Sequence, residues 1–153
     1  MTKKTKYRNA VLIVFSLIFY AWGEPVYVIL MMFSIVFNYF AGIQIGDYKF
    51  TATLEKTAAA NELFQMLEDA PLVLELDDYS GFEKVGPLGK SLTRSDKQTT
   101  TQKGDIVLYN GSNIVMFYGS NSWSYTRLGK IDDLTNWEEA LGSGSVTVTL
   151  RLL

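Results

Sequence analysis

The stretch Lys103-Gly104-Asp105-Ile106-Val107-Leu108-Tyr109-Asn110-Gly111-Ser112-Asn113-Ile114-Val115-Met116-Phe117-Tyr118 decides the fold. Two short runs of β-branched, aromatic and aliphatic residues flank Asn110-Gly111. Asn-Gly between such runs is the strongest short-range signal of a β-hairpin, because the tight turn needs positive φ at its two central residues and these two adopt it at low cost. Gly104-Asp105 marks a second turn just before the first run.

The same strand-and-turn pattern extends outward on both sides. Downstream, residues 123–127 and 129–131 read as two short strands, and Ser145-Val146-Thr147-Val148-Thr149-Leu150-Arg151-Leu152 alternates with period two. Thr135-Asn136-Trp137-Glu138 fits a capping box that opens a helix ending at Leu141. Upstream, residues 99–101 and 72–77 read as strands, and Asp78 to Thr93 as a long Gly- and Ser-bearing loop. Thr57 caps a helix over residues 58–67, with Leu63, Phe64 and Leu67 on one face and Pro71 after its end. Ile43-Gln44-Ile45, the turn pair Gly46-Asp47, and residues 48–54 form another hairpin. About eight strands and two helices follow from this reading, and a closed barrel is the economical way to leave no exposed sheet edge.

Composition removes whole classes of chemistry. The 153 residues contain no Cys and no His, which excludes disulfides, thiolate or imidazole metal sites and any Ser-His or Cys-His relay. Lys3, Lys4, Lys6 and Arg8 against Glu24 leave residues 1–46 at +3, so the overall −2 puts −5 on residues 47–153. That balance excludes nucleic acid as a partner by bulk charge. No metal and no cofactor are expected: Asp77-Asp78 and Asp132-Asp133 lack the spacing of a calcium loop, and Gly86-x-x-Gly89-Lys90-Ser91 lacks the gap of a phosphate loop.

The first 42 residues call for a different solvent. Between Arg8 and Asp47 the only charge is Glu24. One helix over residues 9–45 would run about 55 Å, well beyond a hydrocarbon core of about 30 Å, so a break is expected at Gly23-Glu24-Pro25. Residues 1–42 then form a hydrophobic helical membrane anchor that meets the bilayer through residues 9–42, with Tyr20 and Trp22 as interfacial belt residues. A cleaved signal peptide and a buried soluble hairpin are the competing readings. The four basic residues favour a cytoplasmic N-terminus. A single span then puts residues 43–153 outside the cytosol, the side favoured here, whereas a two-span hairpin returns them to it.

Two family resemblances overlay this reading. Leu17-Ile18-Phe19-Tyr20-Ala21-Trp22-Gly23-Glu24-Pro25 and Phe37-Asn38-Tyr39-Phe40-Ala41-Gly42 resemble the N-terminal region of membrane-bound O-acyltransferases of the alginate-acetylating and teichoic-acid D-alanylating type, over residues 8–42. The resemblance implies a membrane histidine for the chemistry, and this chain has none, so it extends to an inactive fusion remnant and not to an active enzyme. Asp78-Tyr79-Ser80-Gly81-Phe82-Glu83-Lys84-Val85-Gly86, Lys103 to Tyr109, and Phe117-Tyr118-Gly119-Ser120-Asn121-Ser122-Trp123-Ser124-Tyr125-Thr126-Arg127-Leu128-Gly129 closely resemble the bacterial cyclophilin-like fold domain. That resemblance spans residues 43–152 and implies a mainly β, cyclophilin-type barrel.

Candidate site residues come from the densest mixture of aromatic and polar side chains. Tyr79, Phe82, Glu83 and Lys84 on the long loop, with Ser120, Asn121, Trp123 and Tyr125, are expected to line one mouth of the barrel and bind an extended peptide or small ligand. The competing reading makes them plugs of the barrel end. Peptidyl-prolyl isomerisation is the alternative function: it needs an apolar pocket and a donor aimed at the prolyl nitrogen, and Arg127, beside Trp123 and Tyr125 with Met116 and Phe117 nearby, is the candidate. The signature of true cyclophilins, including its histidine, is absent. The structural alternative for Arg127 is an ion pair with Asp132 or Asp133.

Overall fold

The structure is a computed structural model that describes residues 3–37 and 40–153. It divides into two units, Met1–Phe37 and Asn38–Leu153.

The first unit is one helix, α1 (Lys3–Phe37). The break expected at Gly23–Pro25 is not there, because Pro25 lies inside a continuous helix. A proline removes one backbone hydrogen bond and costs about 3 kcal/mol, and long apolar flanks on both sides sustain the helix through that loss. Residues Tyr7–Tyr27 are long and apolar enough to cross a membrane. Leu12, Phe15, Phe19 and Trp22 stand exposed along it. Residues 38 and 39, inside the expected anchor, lie outside the described residues.

The second unit contains β1 (Phe40–Ile45), β2 (Tyr48–Leu54), α2 (Ala58–Asp69), β3 (Leu72–Tyr79), β4 (Glu83–Pro87), β5 (Lys97–Thr100), β6 (Asp105–Tyr109), β7 (Asn113–Phe117), β8 (Ser122–Ile131), α3 (Trp137–Leu141) and β9 (Val146–Leu152). The strand order is β2-β1-β9-β3-β4-β7-β6-β8, and β2 pairs back onto β8 through Ala52↔Ile131 and Leu54↔Gly129. Eight antiparallel strands therefore close a barrel, and β5 adds to the free side of β8. The expected mainly β closed barrel with few helices is the observed fold.

Several expectations need correction. The anchor expected through residue 42 is overlapped by β1, which starts at Phe40; Gly42 is inside that strand, where an added Cβ would lie 2.9 Å from Leu153 Cδ2, so glycine is there for close packing. The long loop expected over residues 78–93 contains β4, which pairs with β3 on one side and β7 on the other. The two short strands expected over residues 123–131 are one strand, bent where Leu128 bulges between the pairs Ile106↔Gly129 and Val107↔Arg127. The capping box at Thr135 is not formed, because Thr135 bonds to Asp133 Oδ1 and Asn136, at φ 63°, is the helix N-cap. Thr57 does cap α2, its Oγ1 accepting from Ala60 N at 3.1 Å.

The deciding hairpin forms as its turn chemistry requires: Asn110 and Gly111 sit at φ 51° and 76° between β6 and β7. Alternation along these strands sorts two faces. Ile106, Leu108, Ile114 and Met116 enter the core inside the barrel together with Leu63, Leu76, Leu128, Trp137 and Leu150. Val107, Val115, Phe117 and Tyr125 point to the outer face and form a second buried cluster.

Candidate functional site

That outer cluster shares Tyr125 with a groove of about 570 Å³, which Val85 and Tyr109, packed against the cluster, also line. The expected barrel mouth is therefore corrected to the outer wall, since the barrel interior is filled by the main core. Cross-strand register brings the lining together. Tyr79 on β3 and Phe117 on β7 both stand opposite Glu83 on β4, Asp77 stands opposite Val85, and Asn113 pairs with both Pro87 and Tyr109. Trp123 and Tyr125 on β8 and Asn121 before it close the other side. Aromatic edges pack against one another, with Tyr125 meeting Phe117 at 5.6 Å and Tyr109 at 6.2 Å between ring centroids.

Glu83 is the unusual member. Its residue is only 7% exposed, and its Oε2 has no hydrogen-bond partner. Burial among apolar and aromatic groups disfavours the charged form and pushes the carboxyl up to about 7. Tyr125 is also raised, by burial first and by the Glu83 charge second, while the hydrogen bond from Asn121 opposes the shift. Trp123 is 58% exposed at the rim. Asn121 donates Nδ2 to the Tyr125 hydroxyl at 2.9 Å, and its Oδ1 accepts from Ser122 N.

The groove thus unites Tyr79, Glu83, Asn121, Trp123 and Tyr125 from the sequence reading, but not Phe82, Lys84, Ser120 or Arg127. Phe82 packs beneath, edge-on to Tyr79 at 5.9 Å. Lys84, next to Glu83 on a strand, points to the opposite side, where its fully buried Nζ donates to Gly144 O at 2.6 Å and lies 3.0 Å from Asp78 Oδ1. Ser120 donates to Thr101 O. Arg127 pairs with neither Asp132 nor Asp133: its Nη1 lies 3.5 Å from Asp105 Oδ2, at the start of β6. Met116, expected beside it, points into the barrel core.

Sequence reasoning missed Asp77, Val85, Gly86, Pro87, Tyr109 and Asn113. The signal was available in the unbroken apolar runs 106–109 and 114–117, because a strand covered on one face alternates and a strand covered on both does not. Among the described residues no group of acidic side chains is placed to hold a metal ion.

Comparison with known proteins agrees with this architecture. The solution structure of the hypothetical protein AF2241 from Archaeoglobus fulgidus is similar over 74% of this chain and 94% of that one, with a TM-score of 0.53 at 12% identity, a likeness of fold alone. No curated protein matches the chain. The model of the cyclophilin-like family matches residues 43–151. With that match reaching from β1 to β9, the chain belongs to the cyclophilin-like family.

Proposed function

We propose that this protein is a membrane-tethered cyclophilin-like binding module whose outer groove takes a small ligand or an extended peptide. The observation that carries the reading is Glu83, a buried carboxyl with an unpaired oxygen set in a groove walled by aromatic rings. Ligand sites are mostly apolar concavities with a few placed polar groups, and an orphan buried acceptor is costly unless a partner satisfies it. The groove's volume of about 570 Å³ lies within the usual range for small-molecule sites.

Isomerisation draws little support, because Arg127 is outside the groove and engaged with Asp105. The continuity of α1 supports a single span with the N-terminus in the cytoplasm and the barrel outside. Protease treatment of intact and lysed cells carrying a tag after Leu153 tests the topology: cleavage in intact cells is expected, and protection until lysis refutes it.

Ligand binding is tested on the full chain in an uncharged maltoside detergent, following the Trp123 indole resonance while a pool of capped, uncharged tetrapeptides and small organic molecules is titrated in. A saturable shift at Trp123 that leaves the buried indole of Trp137 unmoved is expected. Unchanged Trp123 across the whole pool and the cations below defeats the reading.

A further inference from the structure

The chemistry of the groove narrows its ligand to one class. Two carboxyl groups, Asp77 and Glu83, line it together with the rings of Tyr79, Tyr109, Trp123 and Tyr125. No Lys or Arg is among its described lining residues. An anion entering there would meet carboxylates and the negative faces of π-systems. A purely apolar ligand would leave Oε2 of Glu83 buried without a partner. A cation meets neither obstacle, since aromatic faces attract it through their quadrupoles and a carboxylate pairs with it at close range.

We propose that the groove is a recognition site for an organic ammonium group, whose N–H is donated to Glu83 and whose carbon skeleton lies against Tyr125 and Trp123. This rests on the reading of the groove as a ligand site and names its ligand class. An ammonium ion satisfies the unpaired oxygen and replaces the water that the carboxyl loses on burial. Burial pushes the Glu83 carboxyl of the free groove up to about 7, so around neutral pH a substantial share of it carries a proton, and the arriving cation stabilises the charged form and releases that proton to solvent. Lys97, which stands opposite Tyr125 on β5, is exposed and does not line the groove.

The test compares n-butylammonium with 1-butanol, which has the same chain and a hydroxyl donor but no charge. The full chain in uncharged maltoside detergent at pH 8 is titrated with each, and the Trp123 indole shift is read with Trp137 as the folding control. The ammonium is expected to bind at least tenfold more tightly than the alcohol. Glu83→Gln, which keeps the shape and removes the charge, is expected to weaken the ammonium at least tenfold and to leave the alcohol unchanged. Trp123→Ala, at an exposed rim position, is followed by the tyrosine ring resonances and is expected to weaken the ammonium several-fold. A capped Gly-Lys-Gly peptide separates the carriers: tighter binding than n-butylammonium assigns the ammonium to a lysine side chain, and equal binding assigns it to a small amine.

Equal affinities for ammonium and alcohol, or an ammonium affinity that survives Glu83→Gln, overturns the proposal. If uncharged tetrapeptides shift Trp123 and neither cation does, the ammonium assignment fails while the groove stands as a ligand site. If nothing shifts Trp123, both fail.

Discussion

Asn121 holds Tyr125: its side-chain amide donates to the tyrosine hydroxyl at 2.9 Å, four residues along the chain. The link ties the turn before β8 to the ring that meets both Phe117 and Tyr109. Thr101 reinforces the same turn, exchanging hydrogen bonds with the Asn121 backbone. The rim of the groove is thus set by side-chain bonds as well as by the sheet.

Replacing Asn121 with Ala removes the donor and leaves the hydroxyl of buried Tyr125 without it. A loss of about 1 kcal/mol in unfolding free energy is expected. The Tyr125 hydroxyl should titrate still higher, because the Asn121 bond is the influence holding it down against burial. Denaturant unfolding and ultraviolet titration of tyrosine measure the two effects.

Glu83 makes stability depend on pH with a definite sign. Its folded-state value, about 7, exceeds the ordinary 4.5, so between those values the folded protein binds more protons than the unfolded one. Stability then falls as pH rises through this window and levels off above it. Asp77 and Tyr79 on β3, Phe117 on β7 and Tyr125 on β8 surround the carboxyl, and none of them supplies a compensating positive charge. Glu83→Gln is expected to gain on the native protein across the window, by as much as about 3 kcal/mol at pH 8. Thermal unfolding of both proteins at pH 5 and pH 8 gives the comparison.

Gly86 lets β4 approach β3 closely. A Cβ added there would lie 2.2 Å from the Glu75 carbonyl oxygen and 2.8 Å from Leu76 Cδ2. The first contact is with backbone, which cannot turn aside as a side chain can. Gly86→Ala should destabilise the barrel by about 1–3 kcal/mol, and a Tm several degrees lower is the observable result.

Lys84 anchors the opposite side of the same strand through Gly144 and Asp78, with its ammonium 5.5 Å from the centre of the Tyr118 ring. Lys84→Met fills similar space but leaves the Gly144 carbonyl and Asp78 without this partner, so a Tm lower by more than about 5 °C is expected. Asp78 is held below the ordinary carboxylate value by the Tyr118 hydroxyl first and by Lys84 second. Its contribution is present above that ordinary value and is lost as pH falls through the lowered one. Acid unfolding of Lys84→Met should therefore show a smaller loss on the acid side than the native chain does.

Local rules carried most of the barrel. Turn chemistry located Asn110-Gly111, period-two alternation located β2 and β9, and the Thr57 cap located α2. Strand β4 escaped because Lys84 and Gly86 break the apolar pattern. Lys84 is buried with Asp78, its cross-strand partner on β3, and distant Gly144 receiving it, and the second of these is not revealed by local sequence. Pro25 in α1 was weighted as a stop when long flanks could carry it. Five groove residues were visible as a cluster of aromatic and polar types, but their assembly on the outer wall depended on the order β3-β4-β7-β6-β8, which spacing alone does not give. Arg127 was read as pairing with Asp132 or Asp133 or as a candidate donor, and its actual partner escaped because Asp105 lies 22 residues earlier in the chain, on β6.

The central claim, a desolvated carboxyl waiting for a cation, is tested most directly by the carboxyl carbon resonance of Glu83 followed through pH 4 to 9, with and without saturating n-butylammonium. The account predicts a midpoint near 7 in the free protein and a lower midpoint with the ammonium bound. A free midpoint at the ordinary glutamate value, or one that n-butylammonium does not move, would contradict it.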